Sequence, residues 1–442
     1  MTVAVGIDIG SCSHAVAVCH EGAQEAERKG LKIAANRGGF DDLDAWLRRQ
    51  PEPVARVVME SSGHYWFNLA SHLRRQGYPV AVVNPLEAKY FGKRRLQRSK
   101  SDPADARTLA TFAMVDQPPT RELLVGAELR EASRFAMRLT REQGQVCQRI
   151  LRLVDIGFPE LAEVWDDPTC VSALAVFRRA PTARAVARMS VEKLPQLQRP
   201  GSGGRAIGPS KAAELKRLAA TSVAAPELEA QVGFEMRLLI GQYDLLEQQI
   251  EEADRRVAAL LDGEVAQRLL TIPWVGPSTA GTLMAEIGDI WRFADVDQLL
   301  AYAGVHPREQ SSGKKGANPE TSWVMAKTGN AFLREAAYRM AVVGIQHNPV
   351  IRAHYARKRA AGKSRMNAVG HCMSKALSLV WGVWRGGKAF GAAHGNSAKT
   401  PQTAPKAWQE AMRSNRRGNR GRPCSARRRA SSRCCVVRPR PR

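Results

Sequence analysis

The stretch Val3-Ala-Val-Gly-Ile-Asp-Ile9, followed by Gly10-Ser-Cys-Ser13 and then His14-Ala-Val-Ala-Val-Cys-His20, decides the fold. Both runs are short and rich in β-branched residues, and the glycine-serine break between them predicts a hairpin. In the first run Val5, Ile7 and Ile9 form one face, while Asp8 shares the other with Gly6 and Gly10. An aspartate inside a strand is unfavourable unless it has a partner or a chemical task. Outward from this hairpin the pattern predicts a third strand at 31–35, a helix through Leu43, Trp46 and Leu47, and a strand at 54–59 that runs into Glu60. Helix 64–76, strand 79–83 and a helix starting near Pro103 follow. Three strands, helix, strand, helix, strand, helix is the succession of an α/β domain with a mixed sheet.

That order is the one expected of an RNase H-like domain, which would bring Asp8, Glu60, Asp102 and Asp105 together. Taken singly, Glu60 is a strand end and Asp102 a helix N-cap before Pro103, with Asp105 one turn later on the same side. As a set they carry more weight. Two carboxylates ~4 Å apart repel by roughly 4 kcal/mol at an effective dielectric near 20, so four in one place call for cations. Oxygen donors suit Mg²⁺ or Mn²⁺, and a pair of such ions serves phosphodiester chemistry. His64, close behind Glu60, reads as a structural or phosphate-contacting residue, because hard Mg²⁺ prefers oxygen. Asp8-Ile-Gly-Ser11 also fits the first phosphate loop of actin-like ATPases. That reading needs a second Asp-x-Gly hairpin, and Asp155-Ile-Gly157 follows a helical pattern and runs into Phe158-Pro159.

The charge agrees with a polyanionic partner. Against 42 Asp and Glu stand 67 Lys and Arg, a net charge of +25. Residues 391–442 hold 14 of the cations and one Glu, leaving +12 on the first 390 residues. Nucleic acid is the leading partner and an anionic membrane surface the weaker one. The eight cysteines show no metal-ligand spacing, the N-terminus lacks the basic and uninterrupted apolar regions of a signal peptide, and no apolar run approaches ~18 residues. A cytoplasmic, non-membrane protein is expected.

Two long amphipathic patterns, 121–157 and 227–262, predict a helical coiled-coil arm, with a linker near 199–210. Ile272-Pro-Trp-Val-Gly276-Pro277 followed by an apolar run predicts a helix-hairpin-helix, whose Gly276 turn offers backbone N–H groups to a phosphate. Further helical patterns lie at 295–303, 329–346 and 364–384. The expected domains are 1–118 (α/β), 119–265 (helical arm), 266–390 (mostly α) and a disordered basic tail, 391–442.

Gly6-Ile-Asp8-Ile-Gly, Met59-Glu60-Ser-Ser-Gly-His, Asn84-Pro85 and Lys100-Ser-Asp102-Pro-Ala-Asp105-Ala-Arg together resemble the DEDD, RuvC-like domain of transposases of insertion sequence family 110, relatives of the pilin-gene invertases. Ile272-Pro-Trp-Val-Gly-Pro, Asp289-Ile-Trp-Arg-Phe293, Tyr302-Ala-Gly304, Ser311-Ser312-Gly313, Lys327-Thr-Gly-Asn-Ala-Phe-Leu-Arg334 and Asn348-Pro349 resemble that family's C-terminal transposase domain. The resemblance spans about residues 3–390. It implies a recombinase in which Asp8, Glu60, Asp102 and Asp105 bind Mg²⁺ (or Mn²⁺). A serine, Ser312 first and Ser311 second, attacks the phosphodiester to form a covalent protein–DNA intermediate. It also implies donor and target DNA, a structured guide (bridge) RNA and a homo-oligomer, dimer or tetramer, as partners. The expected nucleic-acid contacts are Lys93, Arg94, Arg95, Arg98, Lys100, Gly276, Lys314, Lys315, Lys327 and Arg334. Two rival readings remain: a junction nuclease using the same carboxylates with water as nucleophile, and a silent nucleic-acid-binding remnant of an element.

Overall fold

The computed structural model describes residues 1–61, 63–95, 101–120, 126–195, 207–311 and 321–391, and the chain divides into two compact units, 1–131 and 132 onward. In the first unit, strands β1 (Val3–Ile9), β2 (Ser13–His20) and β3 (Leu31–Ala34) precede helix α1 (Arg37–Arg48). Strand β4 (Val54–Glu60), helix α2 (Trp66–Arg75), strand β5 (Val80–Val83) and helices α3 (Pro85–Arg94) and α4 (Asp102–Val115) complete it. The strands form one sheet in the order β3-β2-β1-β4-β5. β1 is antiparallel to β2 and parallel to β4, and β4 is parallel to β5, so the sheet is mixed as the element order predicts.

Alternation along β1 sorts its side chains between the two faces of the sheet. Val5 and Ile7 pack with Val16, Val57, Met59, Leu43 and Leu69 on the face covered by α1 and α2. Ala4, with Val58, Ala81, Leu109 and Phe112, packs on the opposite face, beneath α3 and α4. Gly6 shares that second face, and its lack of a side chain is what lets α4 lie directly on the strand. A Cβ there would stand 2.1 Å from the backbone nitrogen of Ala110 and 2.3 Å from the carbonyl oxygen of Ala106. Backbone atoms on both sides of such a contact cannot turn away as a side chain can. We therefore expect Gly6→Ala to push α4 off the sheet at a cost of ~2–3 kcal/mol, seen as a Tm several degrees lower and as lost cleavage. A wild-type Tm in this variant would show that the close approach does not hold α4.

The second core lies entirely among helices. α5 (Ala127–Gly157) leads to α6 (Leu161–Val164), α7 (Val171–Arg179), α8 (Ala183–Arg188), α9 (Pro209–Ala220) and α10 (Glu229–Ala259). The two long helices run antiparallel: Gly157 abuts Val232, and Arg152 pairs with Glu235 at 4.0 Å. Their core also takes in Leu174, Phe177, Val186, Leu215 and Leu218 from α7, α8 and α9. The long helices therefore pack within a multi-helix layer as well as on each other, and the span 170–225, irregular in sequence, is mostly short helices outside residues 196–206. Asp155 and Gly157 end α5, a helical setting that leaves no Asp-x-Gly hairpin for an ATPase phosphate loop.

A third core is built by α11 (Gly263–Leu270), α12 (Pro277–Ile287), α13 (Val296–Ala303), the hairpin β6 (Pro307–Ser311) and β7 (Thr321–Met325), α14 (Ala331–His347), α15 (Pro349–Ala360) and α16 (Arg365–Gly386). Leu283, Leu299, Leu333, Ala337, Leu377 and Val380 meet at its centre. No helix among the described residues is long and apolar enough to cross a membrane.

One polar knot joins four of these helices. Glu286 of α12, only 4% exposed, accepts two hydrogen bonds from the Arg134 guanidinium of α5, at 2.6 and 2.9 Å. It accepts a third, at 2.6 Å, from Asn330, the residue whose side chain also caps α14; Asn330 in turn reaches the Tyr302 hydroxyl of α13. Removing the cation alone strands a buried carboxylate, so Arg134→Ala should cost ~3–5 kcal/mol in chemical denaturation. Arg141→Ala breaks a more exposed pair with Glu335 and should cost under ~1 kcal/mol. Equal losses in the two variants would deny the knot its importance.

Candidate nucleic-acid cleavage site

The site grows from sheet register. Ile7 pairs with Met59 across the parallel β1/β4 ladder, so the next residues, Asp8 and Glu60, stand side by side where both strands end. Both have the parity of Ala4 and Val58 and therefore face the α4 layer. α4 begins beside them. Ser101 is its N-cap, and Asp102 and Asp105 lie in its first turn. The N-cap, expected at Asp102, falls one residue earlier, at Ser101. Its consequence is small, because both aspartates still sit at the positive end of the helix dipole, where carboxylates are favoured.

The Asp8 carboxyl feels the charges of the other three. Asp8, partly buried, has its carboxyl pushed up to about 6, by burial first and then by the charges of Asp105, Asp102 and Glu60, in that order, with the Ile9 backbone N–H partly offsetting the rise. A carboxyl raised by burial and by three acidic neighbours marks a candidate functional site. The donor chemistry fits Mg²⁺ or Mn²⁺, being all oxygen. The grouping is looser than a finished cage, since among the described residues no three His, Cys, Asp or Glu side chains are set to hold one ion. His64 sets its ring against Tyr65 at a tilt, ring centres 4.2 Å apart, which fits a structural part. An open groove of about 560 Å³, lined by Asn36, Arg37, Phe40, His72 and Arg75, lies between α1 and α2 on the other face of the sheet and takes no part in this cluster.

The expected phosphate contacts divide into three groups. Lys93 is exposed at the end of α3, whereas Arg94 pairs with Asp116 at 3.1 Å and Arg95 donates to the Gln24 carbonyl at 2.6 Å. Arg98, Lys100, Ser312, Gly313, Lys314 and Lys315 lie outside the described residues; Ser311 ends β6 opposite Thr321. Gly276 is the N-cap of α12 after the turn Thr271–Gly276, in which Trp274 takes a left-handed conformation, φ 70°, and meets the His347 ring at a tilt. Lys327 is exposed, also at positive φ, 54°. Arg334 spends its guanidinium on the Ala303 carbonyl at the end of α13, a structural use that the sequence pattern does not show. Sequence reading also passed over Gly6, Glu286 and Arg134, since nothing local reports what a distant helix will press against.

Comparison with known proteins adds an independent line. A DEDD transposase model for IS110 elements matches residues 5–159, and a second model, described as transposase of the IS116/IS110/IS902 family, matches residues 266–356. A mini-circle protein of Streptomyces coelicolor, described as a transposase for IS117, is 26% identical over 408 residues, covering 86% of this chain and 93% of the relative. The pilin gene-inverting protein of Moraxella bovis is 22% identical, with 80% and 88% covered. The transposase for insertion sequence element IS1328 of Yersinia enterocolitica is 35% identical over 142 residues, 31% of this chain and 40% of the relative.

Proposed function

The chain belongs to the IS110 family of insertion-sequence transposases, enzymes that cleave and rejoin DNA, and from that premise we propose an RNA-guided strand exchange through a serine–DNA intermediate. The observation that carries the reading is the gathering of Asp8, Glu60, Asp102 and Asp105 at one end of a parallel strand pair, with Asp8 raised by burial and by the other three. These four would hold Mg²⁺ or Mn²⁺, which when bound supplies positive charge for the developing negative charge on the phosphate oxygens.

In this reading the Ser312 Oγ, losing its proton to a base in the site, forms a new bond to phosphorus, and the bond from phosphorus to the bridging DNA oxygen breaks. That oxygen leaves as a hydroxyl once protonated. The phosphodiester count is unchanged, so a hydroxyl from the exchange partner can reverse the step and release the serine. Water in place of serine would consume the bond and make the protein a nuclease. Donor and target DNA, a structured guide RNA and a dimer or tetramer are the partners that strand exchange requires here, and the net charge of +25 supports polyanion binding. The test is to incubate protein with end-labelled DNA carrying the element's junction in Mg²⁺, denature, and look for label that migrates with protein. Free labelled ends with no adduct would replace serine by water.

A further inference from the structure

From Ala336 to Phe390 the chain contains ten Lys and Arg and not one Asp or Glu. That segment forms most of α14 and all of α15 and α16. Ile351 of α15 is buried beside Cys372 of α16, whose thiol hydrogen-bonds to the Ile351 carbonyl, so the two helices are closely seated there. On the same side of α15 as Ile351 come His354 and Lys358, three and seven residues on; His371 and Lys375 of α16 are among the charges that His354 feels. Arg357 donates to the His354 Nδ1 at 2.9 Å, which requires that nitrogen to be the unprotonated acceptor.

This grouping is unlike an ordinary solvated basic face. His354, Lys358, His371 and Lys375 are all half-buried at the seam. Burial first, and then Arg357, Lys358, Lys375 and His371, hold His354 down to about 4. Burial, with Lys358 and Lys363, lowers His371; burial, with Arg357, lowers Lys375. No carboxylate relieves the crowding at Arg357, Lys358 or Lys363 among the described residues. Glu335, the nearest acid before the segment, is already taken by Arg141 and Arg339. Like charges held together at a seam cost stability unless an anion is meant to lie there.

We propose that the α15–α16 seam, centred on Lys358 with Arg357, His354 and His371, is a binding site for the phosphodiester backbone of a nucleic acid. Its location is separate in sequence from the carboxylates and from Gly276, Lys327 and the other contacts read from sequence. The proposal rests on the functional reading above only for the choice of nucleic acid as the polyanion.

The experiment measures binding to the full chain in EDTA, so that cleavage plays no part, by anisotropy of a labelled 30-base-pair duplex DNA and of single-stranded DNA and RNA of the same sequence over a salt series. Lys358→Gln should weaken binding and flatten the salt slope by about 0.9 for duplex or 0.7 for a single strand, and Arg357→Gln/Lys358→Gln by about twice that. Because the substitution relieves repulsion, Lys358→Gln should melt no lower than wild type. Arg217→Gln, which removes the same charge from an exposed pair with Glu214, should leave the slope unchanged. A loss confined to duplex assigns the seam to DNA, and a loss confined to RNA, with single-stranded DNA unaffected, assigns it to RNA through the 2′-hydroxyl. Slopes equal to wild type on every probe, in variants that remain folded, would overturn the site, whatever the carboxylate variants do to cleavage.

Discussion

Asp8→Asn is expected to lower strand cleavage on the order of 10³-fold or more while leaving nucleic-acid affinity nearly intact. The substitution keeps size and hydrogen-bonding shape and removes one negative charge from a group of four. It should therefore also change stability in a direction that an ordinary core lesion would not. In the ion-free protein the Asp8 carboxyl is raised to about 6, above its usual 3.8, so the fold favours the protonated form. The contribution of this group is fully favourable below the unfolded value near 3.8 and is lost as pH rises through about 6. At pH 7.5 the ionised carboxylate thus works against the fold, and Asp8→Asn should raise the Tm measured in EDTA; below pH 3.8 the difference should vanish. Mg²⁺ should raise the wild-type Tm by binding the folded state alone, and should do so much less in the variant. Cleavage at the wild-type rate by Asp8→Asn would remove Asp8 from the site. A lower Tm in EDTA at pH 7.5 would show that Asp8 is held for structural reasons.

The legibility of this fold follows from how local each signal is. β1 could be read with its register of faces because period-two alternation is written in consecutive residues, and Asp8 stands out on it as the wrong kind of residue for a strand. The mixed sheet followed from element succession, because a run of short strands followed by alternating helices and strands combines antiparallel and parallel neighbours. The meeting of Glu60 with Asp8 was then implied, since parallel neighbours end at the same edge. What escaped was contact between elements far apart in sequence. Gly6 looked like a small strand residue until α4 was seen to lie against it, and Arg134 looked like one more charge on an amphipathic helix although Glu286 lies 152 residues away. Arg334 shows a second use that sequence does not report: in a basic motif it reads as a phosphate contact, and its guanidinium also donates to the carbonyl at the end of α13. The ten-cation segment from Ala336 to Phe390 was visible in composition alone, but only the packing of α15 on α16 tells which of those cations are crowded together.

Ser312→Ala is expected to abolish both the covalent protein–DNA adduct and recombination, because the argument for a recombinase over a nuclease depends on that one oxygen. Ser312 lies outside the described residues, so the expectation comes from its place after β6 in the family pattern and from the chemistry of the carboxylates. A serine hydroxyl is a weak nucleophile unless its proton is taken and the charge that develops at phosphorus is balanced, and neither condition changes the binding surface. RNA and DNA affinity should therefore be as in wild type, with an unchanged salt slope, while labelled DNA no longer migrates with the protein. Ser311→Ala should be milder, since it leaves the Ser312 hydroxyl in place. Digestion of a trapped wild-type adduct and mass spectrometry of the DNA-linked peptide would locate the phosphoserine. A link at Ser311, or cleavage that persists in Ser312→Ala with free DNA ends, would overturn the assignment: the first would move the nucleophile by one residue, and the second would make water the attacking group in a site that the same four carboxylates still serve.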